Sequence, residues 1–182
     1  EDYVGFFNHS ATGAYFSQIP NPNLEEESSD SFDLGIKYAS KSLELELTTY
    51  YTLYDGFISL ETIGQEAGPP VTEIQQARNI GEVEIYGIDL RADYQLGAIS
   101  DALSGYSTGL NLSWADGHNK TTDDNVNTVD PFEAVLHFGY DSIDSETPWG
   151  LRLYGTYRAE KKDTTRDYAY YVPPASFVLD LT

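Results

Sequence analysis

The chain has 182 residues, with 30 acidic against 10 basic side chains for a formal net charge of -20, and no cysteine. That charge repels the phosphates of DNA and RNA and sets nucleic acid partners aside, while the lack of thiols excludes disulfides, thiolate metal sites and a cysteine nucleophile. No apolar run reaches the roughly 18 residues of a transmembrane helix, but a membrane barrel stays open, because its strands alternate apolar and polar residues.

The first 30 residues hold His9 among Tyr3, Phe6, Phe7, Tyr15 and Phe16 and read as an aromatic-rich loop. Seven period-two segments follow, separated by turn-rich stretches, with no helical spacing sustained over three turns. In the first, Phe32, Leu34, Ile36 and Tyr38 oppose Ser31, Asp33, Gly35 and Lys37. Leu43, Leu45 and Leu47 oppose Glu44 and Glu46 in the second, which continues through Tyr54. The third sets Tyr86, Ile88, Leu90, Ala92 and Tyr94 against Gly87, Asp89, Arg91, Asp93 and Gln95. In the fourth, Tyr106, Leu110, Leu112 and Trp114 face away from Ser107, Gly109, Asn111 and Ser113. Phe132, Ala134, Leu136, Phe138 and Tyr140 make the fifth. Trp149, Leu151, Leu153 and Tyr157 make the sixth, opposite Arg152, Tyr154, Thr156 and Arg158, and Phe177, Leu179 and Leu181 the seventh, opposite Asp180.

Such alternation fits a soluble β-sandwich as well as a membrane barrel. Two observations favour the barrel. Aromatics mark both ends of the apolar rows, in the pairs Tyr86 and Tyr94, Tyr106 and Trp114, Phe132 and Tyr140, Trp149 and Tyr157. Eight residues at about 3.3 Å each, tilted by roughly 40°, span about 20 Å of depth, close to the apolar band between the aromatic girdles of an outer-membrane barrel. Connections also alternate in length: a tight Ala39 to Ser42, a long Glu61 to Ala77, a shorter Gly97 to Gly105, a long Asp116 to Asp130, a short Asp141 to Pro148 and a long Ala159 to Pro173. Short periplasmic turns and long extracellular loops produce that rhythm and put Glu1 to Asp30 outside the cell. The chain opens at Glu1 without a basic leader and stops at Thr182 after a strand-like run, so it reads as a fragment. An open sheet in hydrocarbon would leave backbone groups unpaired, so further strands are expected beyond these seven.

Asn21-Pro22-Asn23-Leu24 with Glu27-Ser28-Ser29-Asp30-Ser31-Phe32-Asp33-Leu34-Gly35 resembles the opening of a late barrel strand in TonB-dependent receptors. Asn79-Ile80-Gly81 with Ile85-Tyr86-Gly87-Ile88-Asp89-Leu90 resembles a second stretch of that family. Val129-Asp130-Pro131-Phe132 and Pro173-Pro174-Ala175-Ser176-Phe177-Val178-Leu179-Asp180-Leu181-Thr182 are similar to the haemoglobin, transferrin and lactoferrin receptor branch. The resemblance implies an all-β, antiparallel transmembrane barrel of about 22 strands in meander order, closed around an N-terminal plug. Residues 1-182 would then be part of that barrel, 1-30 an extracellular loop and 31-182 strands and loops, with the plug, the TonB-contacting region and the last strands outside the chain.

The resemblance also implies a ligand histidine. His9 lies in the loop position where haem-uptake members carry one, and a neutral imidazole can give a lone pair to haem iron while aromatics such as Tyr15 wall the porphyrin. A loop histidine packed among aromatics is the plainer reading. Tyr86, Tyr94, Tyr106, Trp114, Tyr140, Trp149 and Tyr157 are expected in the membrane girdles. Asp89, Arg91, Asp93, His137, Arg152 and Arg158 are expected to face the lumen and the plug, paired with one another because buried charges need partners. Turn polarity accounts for His118, solvated loop charge for Glu25, Glu26, Glu27, Asp30, Asp123 and Asp124, and girdle or loop packing for Tyr168, Tyr170 and Tyr171. No calcium loop, phosphate-cradling glycine loop, nucleophile elbow or paired zinc histidines are present, so neither a metal site nor enzymatic activity is expected.

The expected function is receptor-mediated uptake of haem or haemoglobin iron across the Gram-negative outer membrane, powered by TonB. Haem would be cargo and not a resident cofactor, and the partners would be membrane lipid, the plug, TonB and a haem protein. A ferric-siderophore receptor is the nearest alternative and shares nearly every feature except His9. A passive porin-like barrel and a soluble β-sandwich binding module are the remaining alternatives, the last of which would fold in water without detergent.

Overall fold

A computed structural model describes residues 5–9, 14–67, 71–126, 129–143, 146–161 and 173–182, with side chains from Phe16 onward. Among the described residues the strands in chain order are β1 (Gly5–His9), β2 (Ala14–Ile19), β3 (Ser28–Ala39), β4 (Leu43–Asp55), β5 (Ile58–Glu66), β6 (Thr72–Asn79), β7 (Val83–Gln95), β8 (Tyr106–Asn119), β9 (Asp124–Asn125), β10 (Glu133–Asp141), β11 (Gly150–Arg158) and β12 (Ser176–Leu181). Two short 3-10 turns, Leu96–Ala98 and Asp101–Leu103, join β7 to β8.

The larger sheet orders its strands β12-β11-β10-β8-β7-β4-β3, with β9 paired to β8. These seven are the seven segments expected from the alternation, each lying beside its predecessor in that series, which is the expected meander. Antiparallel ladders fix the register: Tyr106↔Tyr140 and Glu133↔Ser113 between β8 and β10, His137↔Tyr154 and Gly139↔Arg152 between β10 and β11, and Tyr157↔Phe177 between β11 and β12. Because side chains alternate across a strand, this register puts the apolar rows of β8, β10, β11 and β12 on one face and their polar rows on the other.

The two faces are dressed opposite to a water-soluble protein. Phe32 is 67% exposed, Leu136 58% and Leu179 62%, and Leu34, Ile36, Tyr38, Phe138, Phe177 and Leu181 are also exposed. Among the described residues only Val83 and Val126 are buried apolar side chains, whereas Ser107, a polar-face residue, is 7% exposed. A soluble sandwich would cover the apolar rows with a second sheet, so that reading is set aside. Leaving on the order of a dozen large apolar side chains in water forgoes roughly 20–30 kcal/mol. That exceeds the net stability of about 5–15 kcal/mol of a soluble domain.

The two longest expected loops contain strands. Before β3, residues 5–9 and 14–19 pair as β1 and β2, and the 61–77 connection holds much of β5 and β6, which pair with a bulge between Thr62 and Gly64. Strand β2 pairs with β6 in parallel, from Tyr15↔Thr72 to Ile19↔Gln76, giving a four-stranded sheet in the order β1-β2-β6-β5. Contacts divide the chain into two compact units. The first draws its described residues from 1–30, 53–84 and 118–124, and the second from 31–52, 85–117 and 125–182.

Candidate functional site

Within the second unit the polar face carries a charged cluster at the end of the short turns. Strand β7 supplies Arg91 and Asp93, β10 supplies His137, and β11 supplies Arg152 and Tyr154. Arg91 Nε donates to Asp93 Oδ2 at 2.9 Å, and His137 Nε2 lies 3.4 Å from Asp93 Oδ1. The His137 and Tyr154 ring centroids are 5.6 Å apart, and Arg152 Nη2 donates to Asp141 Oδ2 at 2.6 Å. Arg91, Asp93, His137, Arg152 and Tyr154 line a cleft of about 360 Å³ with Ser107 and Glu44.

Two glycines make the cluster sterically feasible. A Cβ on Gly109 would collide with the His137 ring and lie 2.6 Å from Asp93 Oδ1, and one on Gly139 would lie 2.9 Å from Arg152 Cγ. Absence of a side chain at these two positions is what lets long polar groups lie across β8 and β10.

Four of the six residues expected to face the lumen thus meet around one cleft. Asp89 and Arg158 stand apart from it. Asp89 Oδ1 accepts from Ser113 Oγ at 2.7 Å, and Arg158 donates to Glu133 Oε2 through Nε at 3.0 Å and Nη2 at 2.5 Å. A second hollow of about 240 Å³ contains Asp89, Arg91, Glu46 and Glu133. Sequence reasoning missed Glu133 and Asp141 as partners of the arginines. Their parity, shared with His137 along β10, was the available signal. Both signs of charge with free donor and acceptor capacity suit the cleft to a polar protein segment more than to an apolar ligand.

The expected girdle residues fall into two groups of rings. At the end of the short turns, Tyr106 and Tyr140 centroids are 4.7 Å apart and Tyr140 and Trp149 are 5.2 Å apart. At the other end, Tyr86 meets Trp114 at 5.9 Å and Phe132 meets Tyr157 at 6.5 Å, and Tyr86 Oη lies 3.3 Å from Asp116 Oδ2. Among the described residues Tyr94 has no ring partner. Beyond β11, Lys161 Nζ donates to the Val129 carbonyl at 2.5 Å. Burial pushes its ammonium below the ordinary lysine value, and Asp130 partly opposes the shift.

In the first unit, His9 ends β1 paired with Ala14, and Tyr15 lies on β2 paired with Asn8. Their side chains lie outside the described residues, as do Tyr168, Tyr170 and Tyr171 altogether. His118 Nε2 is 3.1 Å from Asp123 Oδ1, and Asp123 has φ 62°, so this histidine braces a turn. Asn119, 4% exposed, donates to the Ile80 carbonyl and accepts from the Thr121 and Thr122 amides.

Asn21 and Asn79, from the two motif stretches singled out in the sequence, fasten the same region. Asn21 Nδ2 donates to the Ala77 carbonyl at 2.9 Å. Asn79 Oδ1 accepts from the Glu25 amide at 2.9 Å, and its Nδ2 donates to the Glu25 carbonyl at 3.1 Å and the Gly56 carbonyl at 2.7 Å.

Comparison with known proteins places this architecture. The family model described as TonB dependent receptor-like, beta-barrel, matches residues 1–182. Hemoglobin-haptoglobin utilization protein B of Neisseria meningitidis serogroup C is 26% identical over 160 residues, covering 78% of this chain and 19% of that protein. Among solved structures, the copper transporter OprC superposes with a TM-score of 0.73 at 22% identity, covering 87% of this chain and 23% of OprC. The ferric enterobactin receptor PfeA of Pseudomonas aeruginosa gives 0.64 at 18% identity, covering 98% of this chain and 27% of the receptor. The chain therefore spans about a fifth to a quarter of the proteins it matches, and the structural likeness establishes the fold. An exposed apolar face between two aromatic rows, a charged opposite face and a family match along the whole length lead to one conclusion: the chain belongs to the TonB-dependent receptor β-barrel family of the Gram-negative outer membrane.

Proposed function

We propose that this chain is the barrel segment of a receptor that takes up haem iron, captured as haem or from haemoglobin, with energy delivered through TonB. The match to hemoglobin-haptoglobin utilization protein B carries the haem reading. The position of His9 on the β1-β2 hairpin is consistent with it. His9 would give an imidazole lone pair to the iron and Tyr15 would help wall the porphyrin. The apolar face would meet lipid, and the charged cleft around Asp93 and His137 would meet a plug belonging to the same protein. TonB would act through a region outside these residues. Haem is cargo in this scheme, no resident cofactor or metal is required, and no covalent chemistry is assigned to the chain.

The likeness to PfeA keeps a ferric-siderophore reading as the second choice. Replacing His9 with Ala in the complete receptor separates the two. The haem reading expects haem affinity and haem-supported growth to fall by at least tenfold. Unchanged haem binding together with intact siderophore use would favour the siderophore reading.

A further inference from the structure

Strand β2 is tied to β6 by a parallel ladder that ends at Ile19↔Gln76. It cannot continue in kind, because Pro20 and Pro22 offer no amide hydrogen. Side chains take over at that point. Gln76 Nε2 donates to the Pro20 carbonyl at 2.9 Å. Asn21 Nδ2 donates to the Ala77 carbonyl at 2.9 Å, while its Oδ1 accepts from the Asn23 amide at 3.0 Å. Asn79 then binds both backbone groups of Glu25 and the carbonyl of Gly56. Gly56 has φ 66° in the turn between β4 and β5, and a Cβ there would lie 3.1 Å from the Glu26 carbonyl, so the segment leaving β2 runs close against that turn.

Only an amide of this length supplies one acceptor and two donors at once. Aspartate keeps the acceptor and loses both donors, and glutamine moves the group by a methylene. We infer that Asn79, assisted by Asn21 and Gln76, is a positioning residue: the clasp holds the β1-β2 hairpin on β6 in the arrangement that captures ligand. This inference rests on the proposed ligand-binding role of that hairpin. A preorganised hairpin avoids an ordering cost on binding, so loosening it weakens capture without touching transport through the barrel.

The test uses the complete receptor with Asn79→Ala and Asn79→Asp, and Asn21→Ala as a milder variant. Hydrogen exchange at the amides of 15–19 and 72–79 is expected to rise about tenfold, with β10 and β11 unchanged, because the variant loses three hydrogen bonds that hold the segment. In cells, the half-saturating haemoglobin concentration for haem uptake is expected to rise about tenfold, with the maximal uptake rate and surface level of receptor retained. Unchanged exchange overturns the clasp. Raised exchange with unchanged half-saturation overturns its positioning role, and so does a fall in maximal rate alone. If the wild-type receptor takes up no haem, the functional reading fails while the exchange measurement still decides the clasp.

Discussion

Substituting Leu136 with Arg tests the central physical claim. Leu136 is 58% exposed on the apolar face, paired with Leu110 on β8 and Gly155 on β11. It lies four residues from Phe132 toward one aromatic row and four from Tyr140 toward the other. At about 3.3 Å per residue and a tilt near 40°, that is roughly 10 Å of depth from each interface, the middle of the apolar band. An exposed leucine in water can become arginine at a cost of about 0.5 kcal/mol or less. At the midplane of a bilayer the same change costs about 2–4 kcal/mol. Denaturant unfolding of the complete receptor from phospholipid vesicles, followed by tryptophan fluorescence, resolves that difference. A loss under about 0.5 kcal/mol would refute the assignment of this face to hydrocarbon.

Four further outcomes follow from the packing. Gly109→Ala forces a methyl into the His137 ring and Asp93 and should lower stability by about 1–3 kcal/mol in the same assay. Asn119→Ala removes three hydrogen bonds from a buried side chain and should cost about 1–3 kcal/mol, with faster amide exchange at Thr121 and Thr122. Because burial lowers Lys161 from its ordinary value, the unfolded chain binds that proton more tightly. This contribution to stability therefore grows as pH rises through the folded value toward about 10.4, and Lys161→Met should flatten the slope of denaturation midpoint over the alkaline range below that pH. Finally, residues 1–182 alone, refolded in buffer without detergent, should aggregate, as light scattering would report, because apolar rows and strand edges would face water.

How much was legible can be judged from particular residues. The strands carrying Phe32, Leu136 and Leu179 announced themselves by alternation, and their meander order followed from chain order because successive strands pair antiparallel around a membrane barrel. Alternation could not say whether the apolar side meets a second sheet or lipid. Aromatic rims pointed to lipid, and the exposed rows show that among the described residues no second sheet covers them. The resemblance to TonB-dependent receptors, read from Asn21-Pro22-Asn23-Leu24 and Asn79-Ile80-Gly81, agrees with the family match.

What local pattern could decide, it decided: which residues form the long strands and which side of each is apolar, since a period of two is written into adjacent positions. Contacts between distant segments were beyond it. The parallel pairing of β2 with β6 joins Ile19 to Gln76, and Asn79 reaches back to Glu25 and Gly56, with no trace in either neighbourhood. The pairing of Asp93 with His137 and of Arg152 with Asp141 depends on register, where a slip of one residue would turn every charge to the other face. Only the assembled sheets settle such partners, because a hydrogen bond is made by positions in space and not by separation along the chain.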